Sequence, residues 1–199
     1  MDQLTYVLKR LFARRVVLLA ALTLLAVAAL AVFFPMLSGV DPNAISVMER
    51  LKAPSAEHWA GTDELGRDLA MRIVWGGRYS IMIGIATAFF SVVAGTALGL
   101  LAGFFKKLDA PIMRVIDAMM SFPDILLGIS LVSILGASLW NVVLALAIVY
   151  TPRVARVVRA STLVIRELLF VDAARALGVS TPRILYAHIL PNLLSPVLV

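Results

Sequence analysis

An uninterrupted apolar run at residues 80–105 constrains the fold of this chain more than any other feature. It holds 26 residues and no charged side chain. Because a helix needs about 20 apolar residues to cross the hydrocarbon of a bilayer, this run is long enough to cross with a tilt. Across the chain, 61% of residues are hydrophobic and only 15% are charged, a composition unlike that of a soluble domain. The sequence therefore predicts an integral membrane protein.

Two further spans flank this run on its N-terminal and C-terminal sides. The first predicted span is 16–37, after an N-terminal arm, 1–15, with four basic residues. Its 22 apolar residues exceed the core of a signal peptide, and no clear small-x-small cleavage site follows. The third span centres on 125–139 and begins earlier, across Pro123.

The fourth span starts near Trp140 and runs through Thr151 and Pro152 into an arginine-bearing extension. A fifth apolar segment starts near Tyr186 and has 14 residues, or about 21 Å of helix against about 30 Å of hydrocarbon. We expect further sequence to complete it. We predict an all-α polytopic transmembrane helical bundle, and we expect this sequence to end within its fifth span.

The distribution of basic residues predicts the topology. Of the 18 lysines and arginines, 13 lie in the N-terminal arm, in the 106–114 loop and in the 153–183 region, and five lie in the 38–79 loop. Cytoplasmic segments carry the excess of basic residues, so the N-terminus is expected to be cytoplasmic and the 38–79 loop extracytoplasmic. The net charge of +6 therefore indicates membrane topology and not nucleic-acid binding.

The 38–79 loop offers two alternatives. His58 and Asp63 have the His-x4-Asp spacing of membrane acyltransferases, in which a histidine acts as base and the aspartate orients it. Alternatively, Thr62 caps a helix that has Asp63 and Glu64 in its first turn. An interfacial helix through 71–75 would then lead to the second span.

A strip of small residues marks one face of the second span. Its members recur every four residues: Thr87, Ser91, Gly95, Gly99 and Gly103. Glycine at this spacing lets helices approach closely in lipid, so the strip predicts a packing face with an undetermined partner.

Charged residues near the third and fourth spans are predicted to lie at the membrane boundary. Asp117 and Asp124 flank Pro123 at a membrane boundary. Arg153, Arg156 and Arg159 share one helix face and are expected to anchor the inner boundary, facing lipid phosphates or a partner. The chain has no cysteine, neither histidine has a metal-ligand neighbour, and no Walker-type phosphate loop is present. These observations predict no catalytic, metal-binding or cofactor-binding residues.

Residues 167–192 form a partly charged segment between apolar runs. Asp172 and Arg175 lie three apart and share a helix face, and Ala173 and Ala174 leave room for a close partner. Gly178 can end the helix in a left-handed conformation. Thr181 and Pro182 suit the cap and first position of another helix. A helix, a stop and a new helix outside the membrane are suited to docking a soluble protein.

This segment resembles the coupling loop of ABC-importer permeases. The shared pattern is an acidic residue, two alanines, a glycine four residues later and Ile-Leu-Pro, here Asp172, Ala173, Ala174, Gly178 and 189–191. The family's usual glutamate is an aspartate in this chain. The motif GTDELGRD at 61–68 resembles the dipeptide, oligopeptide and nickel branch of these permeases, and the similarity covers most of residues 60–199.

The resemblance implies a permease core at 80–199, with a coupling loop at 166–185. It also implies that Asp172, Ala173, Ala174, Arg175 and Gly178 couple the subunit to cytoplasmic ATPases. The implied partners are a second permease subunit, two ATP-binding subunits that hold the ATP, and an extracytoplasmic solute-binding protein. The implied location is the bacterial inner membrane, and the implied substrates are di- or oligopeptides or, more rarely, nickel chelates.

Overall fold

A computed structural model describes residues 14–39 and 41–193, and this part of the chain is helical without strands. A short 3-10 turn, Val47–Glu49, lies in the 38–79 loop, and Thr62 and Asp68 form an isolated β-bridge. Two compact units, 1–82 and 83–199, divide the chain within its second helix. The helices are α1 (Arg15–Ser38), α2 (Leu69–Phe104), α3 (Lys106–Met120), α4 (Asp124–Leu135), α5 (Leu139–Ile165), α6 (Leu169–Ala176) and α7 (Thr181–Arg183), which continues into a π-helical segment, Ile184–Ile189.

Three of the described helices, α1, α2 and α5, are long and apolar enough to cross a membrane. The pair α3 and α4 is bent by 94° and would add a fourth span if the pair acts as one. The predicted all-α membrane bundle is confirmed. The predicted N-terminal arm, 1–15, lies almost wholly outside the described residues, as does the end of the fifth segment.

The helix that contains the second predicted span begins at Leu69, because the expected interfacial helix at 71–75 is continuous with it in α2. Asp68, and not Thr62, caps this helix: its Oδ1 accepts a hydrogen bond from the Met71 backbone N–H at 2.8 Å. Thr62 instead accepts a hydrogen bond from the Lys52 N–H at 2.9 Å. The helix that Thr62 was expected to cap is therefore a set of turns.

The third predicted span is broken. Residues 106–114, expected to be a short basic loop, instead lie in the amphipathic helix α3, which continues to Met120. Pro123 then separates α3 from α4, because proline lacks an N–H and disfavours a helical conformation in the residue before it. The apolar helix that continues the span, α4, has only 12 residues.

The small-residue strip of α2 packs against α5. Thr87 and Ser91 are buried. A Cβ on Gly95 would lie 2.5 Å from Val154 Cβ, and one on Gly99 would lie 2.5 Å from the Ala155 carbonyl oxygen. At Gly103 it would lie 2.6 Å from Thr162 Cβ. The absence of three side chains on α2 therefore lets β-branched residues and the backbone of α5 approach, as small residues allow in membrane helices.

A hydrophobic cluster holds the C-terminal elements together. It joins residues of α5, α6, the π-helical segment and the helical turn that follows it: Val158, Ile165, Val171, Ala174, Ile184, Ile189 and Leu193. This cluster fixes one face of the short helix α6 against its own chain. Since an isolated helix of eight residues is unstable in water, α6 depends on this packing.

We expect Gly99→Leu to destabilise the 83–199 unit by about 1–3 kcal/mol, because the new side chain meets the α5 backbone. The matched control is Gly84→Leu on the same helix, where an added Cβ has no neighbour within 4 Å. Thermal unfolding in detergent, followed by size-exclusion chromatography, compares the two. Equal loss of folded protein in both variants would contradict the assigned packing.

Candidate functional site

The segment after α5 forms the predicted helix, stop and new helix. The α6 helix ends in a Schellman motif, in which the Val179 N–H donates to the Ala174 carbonyl and the Gly178 N–H to the Arg175 carbonyl, each at 3.0 Å. Gly178 has a φ of 74° and open space around it, so its backbone conformation alone favours glycine. The next helix starts one residue before the prediction, with Ser180 at the cap position and Thr181 as its first residue.

The two faces of α6 differ in exposure. Val171 and Ala174 are 0% and 5% exposed and pack into the hydrophobic cluster. Leu169 and Leu177 are 87% and 83% exposed. We call the outward face the α6 outer surface; it consists of Leu169, Asp172, Ala173, Ala176 and Leu177. This surface is apolar apart from Asp172, whose carboxylate pairs with the exposed Arg175 beside it, a chemistry suited to a protein partner.

The predicted coupling residues lie on different sides of α6. Asp172 and Ala173 are on the outer surface, whereas Ala174 faces the chain's own core, so its small side chain serves internal packing. Arg175 donates to Asp172 at 2.9 Å and lies over the ring of Phe104, 5.7 Å from its centroid. Sequence reasoning missed Leu169 and Leu177, because their exposure depends on how α6 is rotated on its core.

Three ion pairs join α5 to α3 and α4. Arg159 contacts Asp109 with two nitrogens, at 2.5 and 2.7 Å. Arg156 contacts Asp117 at 2.6 Å, and Arg153 pairs with Asp124. The three arginines were expected to face lipid phosphates or a partner, and the structure instead pairs each with an aspartate of its own chain. Bidentate geometry and partial burial make the Arg159 pair the strongest of the three.

A cavity of about 720 Å³ lies between α4 and α5. Its walls are mostly apolar, with Val132 and Leu146 among them, and Gly128 leaves space on the α4 side. Asp124 and Tyr150 supply polar groups to its lining. The Arg153 guanidinium lies 5.7 Å from the ring centroid of Tyr150, so the Asp124–Arg153 pair lies beside this cavity.

The charged residues of the 38–79 loop do not form the His58–Asp63 dyad. His58 Nδ1 lies 2.9 Å from Asp68, and its Nε2 lies 3.4 Å from Glu49. Asp63 accepts hydrogen bonds from the side chains of Arg67 and Arg72. With His58 held by two other carboxylates, the acyltransferase alternative loses its geometric basis.

Electrostatics in this loop favour charged side chains. The hydrogen bond to Asp68, with the charge of Glu49, raises the pKa of His58 despite partial desolvation. Burial acts to raise the pKa of Asp63, but hydrogen bonds from the Arg67 and Leu65 backbones and from two arginines lower it overall. Glu49, His58 and Asp68 therefore form a charged cluster that ties the 3-10 turn to the start of α2. Among the described residues, no group of three or more His, Asp or Glu side chains could hold a metal ion.

A raised pKa means that folding favours protonated His58. Its stabilising contribution is fully present below the ordinary histidine value of about 6.5 and is lost as pH rises through the raised value. We expect the loop to resist proteolysis better at pH 5.5 than at pH 8.5 (~1 unit below and ~2 units above that value). His58→Gln should remove this difference, and His188→Gln, which changes the other histidine, should retain it. A pH difference that survives in His58→Gln would exclude His58 as its source.

Comparison with known proteins places the chain among transport permeases. The family profile described as "Binding-protein-dependent transport system inner membrane component" matches residues 95–199. A putative peptide transport system permease of Brucella suis is 45% identical over 96% of this chain and 64% of its own length. The dipeptide transport system permease DppC of Alkalihalophilus pseudofirmus is 44% identical, over 85% of this chain and 56% of its own length.

A third relative has a different named substrate. The glutathione transport system permease GsiD of Pectobacterium atrosepticum is 39% identical over 96% of this chain. The chain spans 64% of the length of this protein and of the Brucella suis relative. The matched family region contains the three glycines of the α2 strip, the three arginines of the ion pairs and all of α6.

Proposed function

The chain belongs to the family of binding-protein-dependent transport system inner membrane components, and we propose that it is a permease subunit of an ATP-driven peptide importer. The observation that carries this proposal is the α6 outer surface, an exposed apolar face with one carboxylate, held rigidly by a buried core. Relatives named for peptides, dipeptides and glutathione support a peptide substrate. Nickel chelates are the rarer alternative.

The proposed assembly is the one that the family resemblance implies. Two cytoplasmic ATP-binding subunits would bind and hydrolyse ATP. A second permease subunit would complete the membrane path, and a solute-binding protein would deliver peptide from outside. The subunit would be non-catalytic and lie in the bacterial inner membrane with its N-terminus cytoplasmic, as the distribution of basic residues favours.

The α6 outer surface is proposed to seat in an ATP-binding subunit. Leu169 and Leu177 would supply apolar contact, Ala173 close approach and Asp172 a charge. Because α6 shares a core with α5, movement of α6 would displace α5 and the helices paired to it. That displacement would reach the cavity between α4 and α5 and alternate its access, a rigid-body mechanism.

Adjacent alanines provide a sharp test. We expect Ala173→Trp to leave the subunit folded and to abolish co-purification of the ATP-binding subunit, because bulk is added only to the outer surface. Ala174→Trp should destabilise the subunit itself, because Ala174 is buried. The measurements are thermal unfolding of the subunit in detergent, ATPase co-purification and uptake of labelled dipeptides.

The contribution of the Asp172 charge to association with the ATP-binding subunit is tested by the same co-purification. Asp172→Lys should weaken ATPase association by about tenfold or more, the equivalent of ~1.4 kcal/mol. Arg175→Gln removes the Asp172–Arg175 pair but keeps the carboxylate, and it should be milder, because exposed pairs contribute little. Full association and uptake in both Ala173→Trp and Asp172→Lys would refute the proposed docking site.

A further inference from the structure

The α3 helix (Lys106–Met120) has one face committed to its own chain. Ile116 is buried, and Asp109 on the same face contacts Arg159 of α5. Asp117 of α3 contacts Arg156 of α5. The remaining surface of α3 is therefore free of these contacts, and its chemistry indicates what else α3 binds.

The geometry places α3 in the plane of the membrane. The α4 and α5 helices are antiparallel, because a short turn joins them at 136–138 and Asp124 at the start of α4 pairs with Arg153 in α5. Since α5 is a membrane-crossing helix, the 94° bend between α4 and α3 directs α3 along the membrane surface.

The spacing of the ion pairs supports this orientation. Asp109 and Asp117 are eight residues, or about 12 Å, apart along α3, whereas their partners Arg159 and Arg156 are about 4.5 Å apart along α5. Unequal spacing of this kind is expected where two helices cross at an angle and do not run side by side. An α3 helix that crosses a membrane span steeply lies in the interface.

The free surface of α3 has an apolar stripe. Its residues recur at helical spacing: Leu108, Ile112, Val115 and Met119. Leu108 and Val115 are 40% and 62% exposed. Exposed leucine and valine on a helix in the membrane plane are positioned to enter the acyl region of the bilayer.

Two basic side chains lie together on one side of this stripe. Lys107 and Arg114 are seven residues apart and lie on adjacent positions of the wheel, and Lys106 precedes them. All three residues are exposed. Among the salt bridges of residues 14–39 and 41–193, none involves these three cations. They are therefore available to an external anion.

We propose that α3 is an interfacial helix that binds anionic phospholipid headgroups through Lys107 and Arg114 while Leu108 and Val115 enter the acyl region. An apolar stripe beside unpaired cations is the arrangement that anionic membrane surfaces attract. Headgroup contacts on one side and the Asp109–Arg159 pair on the other hold α3 at the interface.

The chain has no cysteine, so Val115→Cys introduces a unique site for a nitroxide label. The protein is reconstituted, with the subunits that co-purify with it, in phosphatidylcholine vesicles with or without phosphatidylglycerol. Collisions with oxygen and with a water-soluble nickel complex report the depth of the label. We expect an interfacial depth, and enrichment of phosphatidylglycerol among lipids retained in detergent.

Lys107→Gln/Arg114→Gln should reduce that enrichment on the order of tenfold. The control Arg50→Gln/Lys52→Gln removes the same charge from the 38–79 loop and should leave it unchanged. A label in water, or unchanged enrichment in Lys107→Gln/Arg114→Gln, overturns the proposal. A label immobilised only when another subunit is present identifies a protein contact and also overturns it. None of these readouts depends on transport, so failure here is distinct from failure of the proposed function.

Discussion

The close approach of α2 and α5 is the interaction on which the rest of the 83–199 unit depends. Lipid supplies no hydrophobic force between helices, so their association relies on shape and on polar contacts. Three glycines on α2 provide that shape by admitting Val154, Val158 and the α5 backbone. The α5 helix placed in this way carries the arginines that hold α3 and α4, and its end shares a core with α6.

Charge complements this packing where the helices leave the apolar region. Each aspartate on α3 or α4 is neutralised by an arginine on α5, so the acidic charge of these two helices is paired within the chain. The pairs lie on both sides of the break at 121–123, so α5 contacts both arms of the bend. A displacement of α6 would move α5 and, through these ion pairs, the helices that line the cavity. This movement is the proposed coupling.

Membrane-crossing elements were predictable from the sequence because hydrocarbon imposes a length and an absence of charge. The first predicted span, 16–37, coincides with the helix α1, Arg15–Ser38, for this reason. The glycine spacing likewise predicted a packing face. Its partner was not predictable, since the match between Gly99 and Ala155 depends on how two distant segments cross.

Other contacts could not be predicted either, because they also depend on how distant segments or helix faces are oriented. The Asp109–Arg159 pair joins residues 50 positions apart. Ala173 and Ala174 are equivalent in the motif, and only the rotation of α6 on its core separates an exposed from a buried alanine. In the 38–79 loop, Asp68 caps α2 in place of Thr62 and contacts His58 in place of Asp63. The local sequence pattern does not distinguish among these three side chains.

The most direct measurement of the central claim is site-specific photocrosslinking from α6 in intact cells. With a benzophenone amino acid at Leu177, which is exposed, the account predicts a crosslink to a soluble ATP-binding protein. The same group at Val171, which is buried, should give none. If the Leu177 variant inserts and supports peptide uptake but crosslinks to no ATP-binding protein, the assignment of α6 as the docking helix is contradicted.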